Sequence, residues 1–219
     1  MHILCPTYWY PEHANDIHAT YVHDINRHLV MLGHEVTVVT PRVAESAARE
    51  SFDGVDVIRF SANIPADLSY GKVAQTKIGP GAKIRRLTAM ASYVRKQYTA
   101  ALDAGRQHKP DVVHGHWAIP TGPAVVAAAR KLGCPSVITM HGGDVYVNHE
   151  QGYNFPTRWY VRPVLRRTLR GASGLTAISD DCRTHALNAG ANSETIEIIM
   201  NGADLRRFSP GAEFGPRTV

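Results

Sequence analysis

The sequence predicts an α/β domain: a doubly wound, mainly parallel, Rossmann-like sheet with helices on both faces. Three observations predict it. Short runs of β-branched and aliphatic residues alternate with longer segments whose apolar residues recur every three or four positions. The short runs are near-continuously apolar, as strands covered on both faces require. Strands separated by helices pair in parallel through right-handed crossovers.

The elements follow in chain order. HILC at 2–5 is the first strand. From Asp16 to Leu32, the residues Ile17, Tyr21, Ile25, Leu29 and Leu32 keep helical spacing, and Gly33 ends the helix because it tolerates positive φ. EVTVVT (35–40) and VDVIRF (55–60) are strands, and 61–80 carry turn formers and read as a loop. A long helix is expected from Ala82 to Ala104, then a strand, DVVHGH, from 111. Residues 122–132 are alanine-rich and helical, and SVITM (136–140) is a strand. Residues 156–170 read as a helix interrupted by Pro163. GLTAIS (174–179) is a strand, 180–189 a helix closed by Gly190, and TIEIIM (195–200) the final strand. The domain is expected to span 1–208. SPGAEFGPRTV (209–219) is rich in Gly and Pro, has no core pattern, and reads as the start of a linker.

Of the 219 residues 44% are hydrophobic, enough for one good core. No apolar run approaches the ~20 residues of a membrane span. MHILCPTYWY lacks the charged lead, apolar centre and cleavage site of a signal peptide. Cys5, Cys134 and Cys182 form no CxxC pair and suit a reducing cytoplasm. The net charge of +5 is uneven, because residues 72–109 hold nine Lys/Arg against one Asp. That block suits either an anionic partner or a solvated helix face.

In open parallel sheets, ligands bind outside the carboxyl ends of the strands. Five polar or glycine-rich stretches fall there: PTYWYPEHANDIH, HGHWAIPTG, HGGDVY, SDD and NGAD. Each admits two readings. His141-Gly142-Gly143-Asp144 is a turn in which Asp144 caps the next helix. Alternatively it is a ligand wall, where Gly142 and Gly143 admit close backbone approach and His141 presents a titratable ring. His116 and Trp117 line a cleft for a sugar or lipid head group, or Trp117 is plain core. Ala14-Asn15-Asp16 precedes a helix N-terminus suited to phosphate. Asp16 opposes that with its own charge and serves equally as a cap. Ser179-Asp180-Asp181 reads as a capped helix start, and Asn201-Gly202 as a tight turn or a site loop.

His114-Gly115-His116 also has a metal-ligand spacing, with His141 and Asp144 as completions, and a metal-dependent hydrolase would use it. A complete site needs a third and fourth ligand with outer support, and no Cys/His cluster occurs, so neither metal nor cofactor is expected. The first loop lacks GxGxxG, which disfavours nicotinamide binding. There is no Walker lysine loop and no GxSxG elbow. Nucleic acid is not an expected partner, since aromatics do not interleave with the basic block.

The set resembles the N-terminal domain of the GT-B glycosyltransferases of the family 4 type. The stretches that carry it are YPEHANDIHATYVHDINRHLVMLGHEVTVVT, KPDVVHGHWAIPTG, VITMHGGDV, AISDD and NGADLRRFSP, within about residues 1–210. The resemblance implies one half of a GT-B fold, in which two Rossmann-like domains face each other across a cleft. The N-terminal one mostly binds the acceptor: a carbohydrate, a lipid-linked or another small molecule. The other binds the nucleotide-sugar donor. Transfer is expected to retain anomeric configuration without metal, the leaving phosphate helping to activate the acceptor hydroxyl. His141 matches the active-site histidine against the donor sugar, and the loop at 14–16 matches the segment near the donor phosphates and acceptor. Asn201, Gly202 and Asp204 match the motif facing the interdomain cleft. The pattern departs at Ala14-Asn15, where the family usually has Gly-Gly, so two Cβ atoms limit phosphate approach. No stretch matches the donor-binding domain, so the chain alone is expected to bind acceptor weakly and to catalyse little. A non-catalytic binding subunit that needs a second chain is the alternative.

Two basic regions bear on a further partner. Lys83, Arg85, Arg86, Arg95 and Lys96 lie among Ile84, Leu87, Met90, Tyr93 and Val94. Arg158, Arg162, Arg166 and Arg170 are spaced by four and would share a helix face that Pro163 kinks. Either face suits peripheral contact with an anionic membrane on the cytoplasmic side, or plain solvation.

Overall fold

A computed structural model describes residues 1–13, 16, 19–42, 46–62, 80–146 and 159–202. Eight strands form one sheet: β1 (His2–Pro6), β2 (Glu35–Pro41), β3 (Arg49–Phe52), β4 (Val55–Phe60), β5 (Val112–His116), β6 (Ser136–Met140), β7 (Gly174–Ala177) and β8 (Ile196–Ile198). The helices are α1 (Thr20–Met31), α2 (Pro80–His108), α3 (Gly122–Leu132), α4 (Arg162–Gly171) and α5 (Asp180–Asn188). The strand order is β3-β4-β2-β1-β5-β6-β7-β8. Every neighbouring pair is parallel except β3 with β4. The chain therefore winds outward in two directions from β1 and β5, and a switch point lies between those strands.

The period-2 alternation of strand side chains divides the core. Ile3, Cys5, Val36, Val38, Val55 and Val57 pack with Val22 of α1. Leu4, Val39, Val113, Ile138, Met140, Leu175 and Ala177 belong to a second cluster. That cluster takes in Ala101 of α2, Val125 of α3, Leu165 of α4 and Ala186 of α5. Neighbours in a strand such as Ile3 and Leu4 thus enter opposite cores, the origin of the near-continuous apolar runs. The doubly wound, mainly parallel sheet with helices on both faces is as the sequence predicts.

Four local features differ from the sequence reading. β3 was not expected; it forms a hairpin with β4 through Asp53-Gly54, whose φ values of 53 and 76 are both left-handed. Asp-Gly is the dipeptide that such a turn favours. α1 begins at Thr20 rather than Asp16, with Ala19 in a left-handed conformation at its N-cap. Asp16 instead accepts a hydrogen bond from the Glu12 N–H at 2.8 Å, so it closes a loop and does not cap the helix. Pro163 sits in the first turn of α4, where a missing N–H is harmless, and does not kink it. Arg158, most of the 61–80 loop and the 209–219 tail lie outside the described residues.

Candidate functional site

The site forms where β5 and β6 end side by side, one strand away from the switch point. In the parallel register His114 stands opposite Val137 and His116 opposite Thr139. The glycine between the two histidines is there for packing. A Cβ on Gly115 would lie 2.2 Å from Cγ2 of Val125, so α3 reaches β5 only because position 115 has no side chain. After His116 the chain turns at Trp117, which has a left-handed φ of 67 and donates its N–H to the Thr139 carbonyl at 2.9 Å. A left-handed tryptophan is costly, and such conformations concentrate at functional sites.

His141 follows β6 directly and lies over this corner. Its Nε2 is 3.0 Å from Nδ1 of His116, and the two rings stack with centroids 5.2 Å apart. Tyr21 from α1 and Trp117 flank it at 4.8 and 5.1 Å. Beneath lies a polar ladder: His114 Nε2 is 2.8 Å from Thr139 Oγ1, to which the Thr176 hydroxyl donates at 2.7 Å. Asp144 locks the loops together. Its Oδ2 accepts from the Ala118 N–H at 2.6 Å and its Oδ1 from the His141 N–H at 3.1 Å. One buried carboxylate thereby ties the loop after β5 to the loop after β6.

Burial sets the protonation states. Desolvation lowers His114 to about 4, and lowers His141 to about 4 with a further contribution from His114. His116 is lowered well below the usual imidazole range by burial, then by His114 and His141. All three are neutral at pH 7. Asp144 is raised to about 6 by burial, which outweighs the backbone N–H groups that hold the anion. The thiols are passive: burial raises Cys5 to about 12 and Cys182 to about 11, and it also raises Cys134.

The structure brings His141, His116, Trp117 and Asp144 together and distributes their roles. His116 is fully buried beneath His141, and Asp144 is 3% exposed with both oxygens on backbone amides. Gly142 has a φ of +97, and a Cβ there would meet nothing within 4 Å, so open space lies against the turn. Gly143 is exposed. Asn201 and Gly202 are exposed beyond β8. Ala14, Asn15 and Asp204 lie outside the described residues. Ser179 caps α5, accepting from the Cys182 N–H at 3.1 Å. Among the described residues no group of three His, Cys, Asp or Glu side chains is arranged to hold a metal ion. His114, His116 and His141 are engaged with Thr139 and with each other. Tyr21, Thr139 and Thr176 were not singled out from the sequence. Tyr21 read there only as a helix-face apolar residue.

Comparison with known proteins agrees with this layout. The family model described as Glycosyltransferase Family 4 matches residues 18–207. A putative teichuronic acid biosynthesis glycosyltransferase, TuaC, of Bacillus subtilis is 25% identical over 97% of this chain and 52% of its own length. A D-inositol 3-phosphate glycosyltransferase of Nocardiopsis dassonvillei is 31% identical over 78% of this chain and 42% of its own length. Among solved structures, sucrose-phosphate synthase from Thermosynechococcus elongatus matches the fold with a TM-score of 0.65 at 15% identity, covering 97% of this chain and 51% of that one. The chain thus spans about half the length of the relatives it matches.

Proposed function

The chain belongs to glycosyltransferase family 4, and from that we propose that it is the acceptor-binding half of a retaining, metal-independent glycosyltransferase. The observation that carries the proposal is His141: a neutral imidazole held on His116, flanked by Tyr21 and Trp117, at the carboxyl edge of the sheet. In the reaction proposed, the bond from the donor sugar's anomeric carbon to the nucleotide phosphate breaks. A bond from that carbon to the acceptor oxygen forms on the same face, and the acceptor proton passes to the leaving phosphate. On this reading His141 lies against the donor sugar as an uncharged ring where positive charge develops, which a protonated imidazole would repel. Asp16 serves, on the same reading, the donor-phosphate side of the site, and Asn201 and Gly202, exposed beyond β8, are offered to the second lobe. That lobe brings the nucleotide-sugar.

The proposed setting is cytoplasmic, with peripheral contact at an anionic membrane face. α2 supports it: Ile84 and Leu87 are exposed beside the exposed Arg85. Among the described residues no helix is long and apolar enough to cross a membrane.

The test is nucleotide release from a panel of nucleotide-sugars by a protein holding this domain and a donor lobe, with EDTA present. Transfer with retained configuration that drops at least about 100-fold in His141→Ala is expected. Loss of activity in EDTA, or inverted product, would overturn the mechanism. The 219-residue chain alone should turn over far below the ordinary range of roughly 1–10³ per second.

A further inference from the structure

The β3–β4 hairpin lies at the sheet edge and is separated from β1 by β2, yet its side chains serve the loop that follows β1. Arg59 of β4 reaches that loop: its Nη2 donates to the Pro11 carbonyl at 2.6 Å and approaches the Glu12 carbonyl at 3.5 Å. The same guanidinium is fixed by Glu50 of β3, whose Oε1 accepts from Nε at 2.8 Å and from Nη2 at 2.6 Å. Glu12 in turn donates its N–H to Asp16 Oδ2 at 2.8 Å. Contacts therefore run without a break from Glu50 through Arg59 and Glu12 to Asp16. A second link starts at the hairpin turn. Asp53 Oδ2 lies 2.9 Å from Nε2 of His23 on α1, and His23 Nδ1 lies 2.7 Å from the Tyr10 hydroxyl. His23 shares α1 with Tyr21, which flanks His141.

The plain explanation of Arg59 is that a buried loop carbonyl needs a donor. That does not account for the choice of donor. The Arg59 side chain has no exposed surface and that of Glu50 is 24% exposed. A buried ion pair loses in desolvation about what it gains in attraction, so apolar residues would serve stability equally well. Nη1 is also buried with no partner among the described residues, which adds to the cost. What the pair supplies is geometry. A planar guanidinium, clamped by Glu50 on a strand pair, fixes the backbone of the loop at Pro11 and Glu12.

We infer that Arg59 is a positioning residue: held by Glu50, it anchors the loop after β1 and so sets Asp16 for the site. The inference rests on the proposed function above, in which Asp16 serves the donor-phosphate side. Arg59 is fully buried and meets no substrate; it acts through the backbone of the loop.

Two measurements test it. The first is amide hydrogen exchange on the 219-residue chain, which needs no substrate. The variant is Arg59→Met/Glu50→Gln, which removes both charges together and leaves no buried ion uncompensated. Melting near the wild-type temperature is expected, with exchange at Glu12 and Asp16 at least about tenfold faster. Thr7, whose N–H donates to the Val39 carbonyl, and Val22 in α1 should keep their protection. The second is kinetics of a protein holding this domain and a donor lobe. The double variant should lower kcat roughly 100-fold, since the loop is misplaced, with the acceptor KM nearly unchanged. Arg59→Lys keeps the charge beside Glu50 without the planar fork and should recover part of both losses. It also carries both comparisons if the double variant melts low. Unchanged exchange at Glu12 and Asp16, or loosening spread evenly over the sheet, overturns the anchor. Faster loop exchange with wild-type kcat overturns the positioning role. Lowered melting in both variants, with no recovery by lysine, assigns the pair to folding alone. No transfer by the wild-type two-lobed protein would overturn the transferase reading and the positioning role with it, while fast loop exchange in the variant would still support the anchor.

Discussion

Nδ1 of His116 lies 3.0 Å from Nε2 of His141, and only the second of these rings is partly exposed. On the proposed function, His116 serves through His141, as the residue that fixes its ring. In a two-lobed protein containing this domain, His116→Ala should lower kcat by roughly 100-fold, because small misplacement of a positioned group is that costly. KM for the acceptor should barely change. His116→Gln, which keeps a hydrogen-bonding group, should recover part of the loss. A purely structural role predicts lost stability in both variants and no such split.

The same rings set a pH dependence of stability. His114 and His141 fall from 6.5 to about 4 on folding, and His116 falls further in the same direction. Groups with depressed folded values contribute stability that is present above 6.5 and lost as pH falls toward 4. Asp144, raised from 3.8 to about 6, has the opposite sign over nearly the same window. Three histidines against one carboxyl leave a net loss on acidification of up to about 2–3 kcal/mol per pH unit near pH 5. Urea unfolding from pH 7 to 4 measures it. His114→Gln should remove about one proton from the slope, and an unchanged slope would contradict the buried neutral state.

Gly115 should tolerate no side chain. A Cβ added there would come within 2.2 Å of Cγ2 of Val125, a stiff β-branched residue on α3. Gly115→Ala is expected to cost about 1–3 kcal/mol, the usual penalty of overpacking. Gly115→Ala/Val125→Ala should recover part of it, since the clashing methyl is gone. Denaturant midpoints of the four proteins complete the cycle. A double variant no better than the single would place the strain elsewhere.

What the sequence made legible was periodic. The strands from β1 to β8, apart from β3, announce themselves as β-branched runs. Gly33 and Gly190 end helices with φ values of 86 and 103, as positive-φ residues should. The hairpin at Asp53-Gly54 was readable too, but Arg49-Glu50-Ser51-Phe52 is too polar to register as a strand. The site was legible as a convergence of loops and illegible in depth. His116 and Trp117 are adjacent in sequence, yet His116 lies fully buried beneath His141, and no spacing rule tells which ring faces a ligand. Tyr21 reaches His141 only because β1, β5 and β6 are neighbours, a long-range fact that helical spacing in α1 does not contain.

Asp144 offers the most discriminating measurement, because its two effects oppose each other. Asp144→Asn removes a buried charge, which relieves desolvation, but turns one acceptor oxygen into an NH₂ group facing a backbone N–H. An unsatisfied buried donor costs about 1–3 kcal/mol, and here both Ala118 and His141 N–H groups depend on the carboxylate. The variant should therefore be less stable at every pH. The folded value of Asp144 lies above its unfolded one, so its contribution is full below 3.8 and is lost as pH rises through about 6. The deficit of Asp144→Asn should accordingly be larger at about pH 4.5 than at about pH 7.5. A deficit that grows with pH would mean that the charge itself stabilises the clamp, and the proposed balance between burial and hydrogen bonding would be reversed.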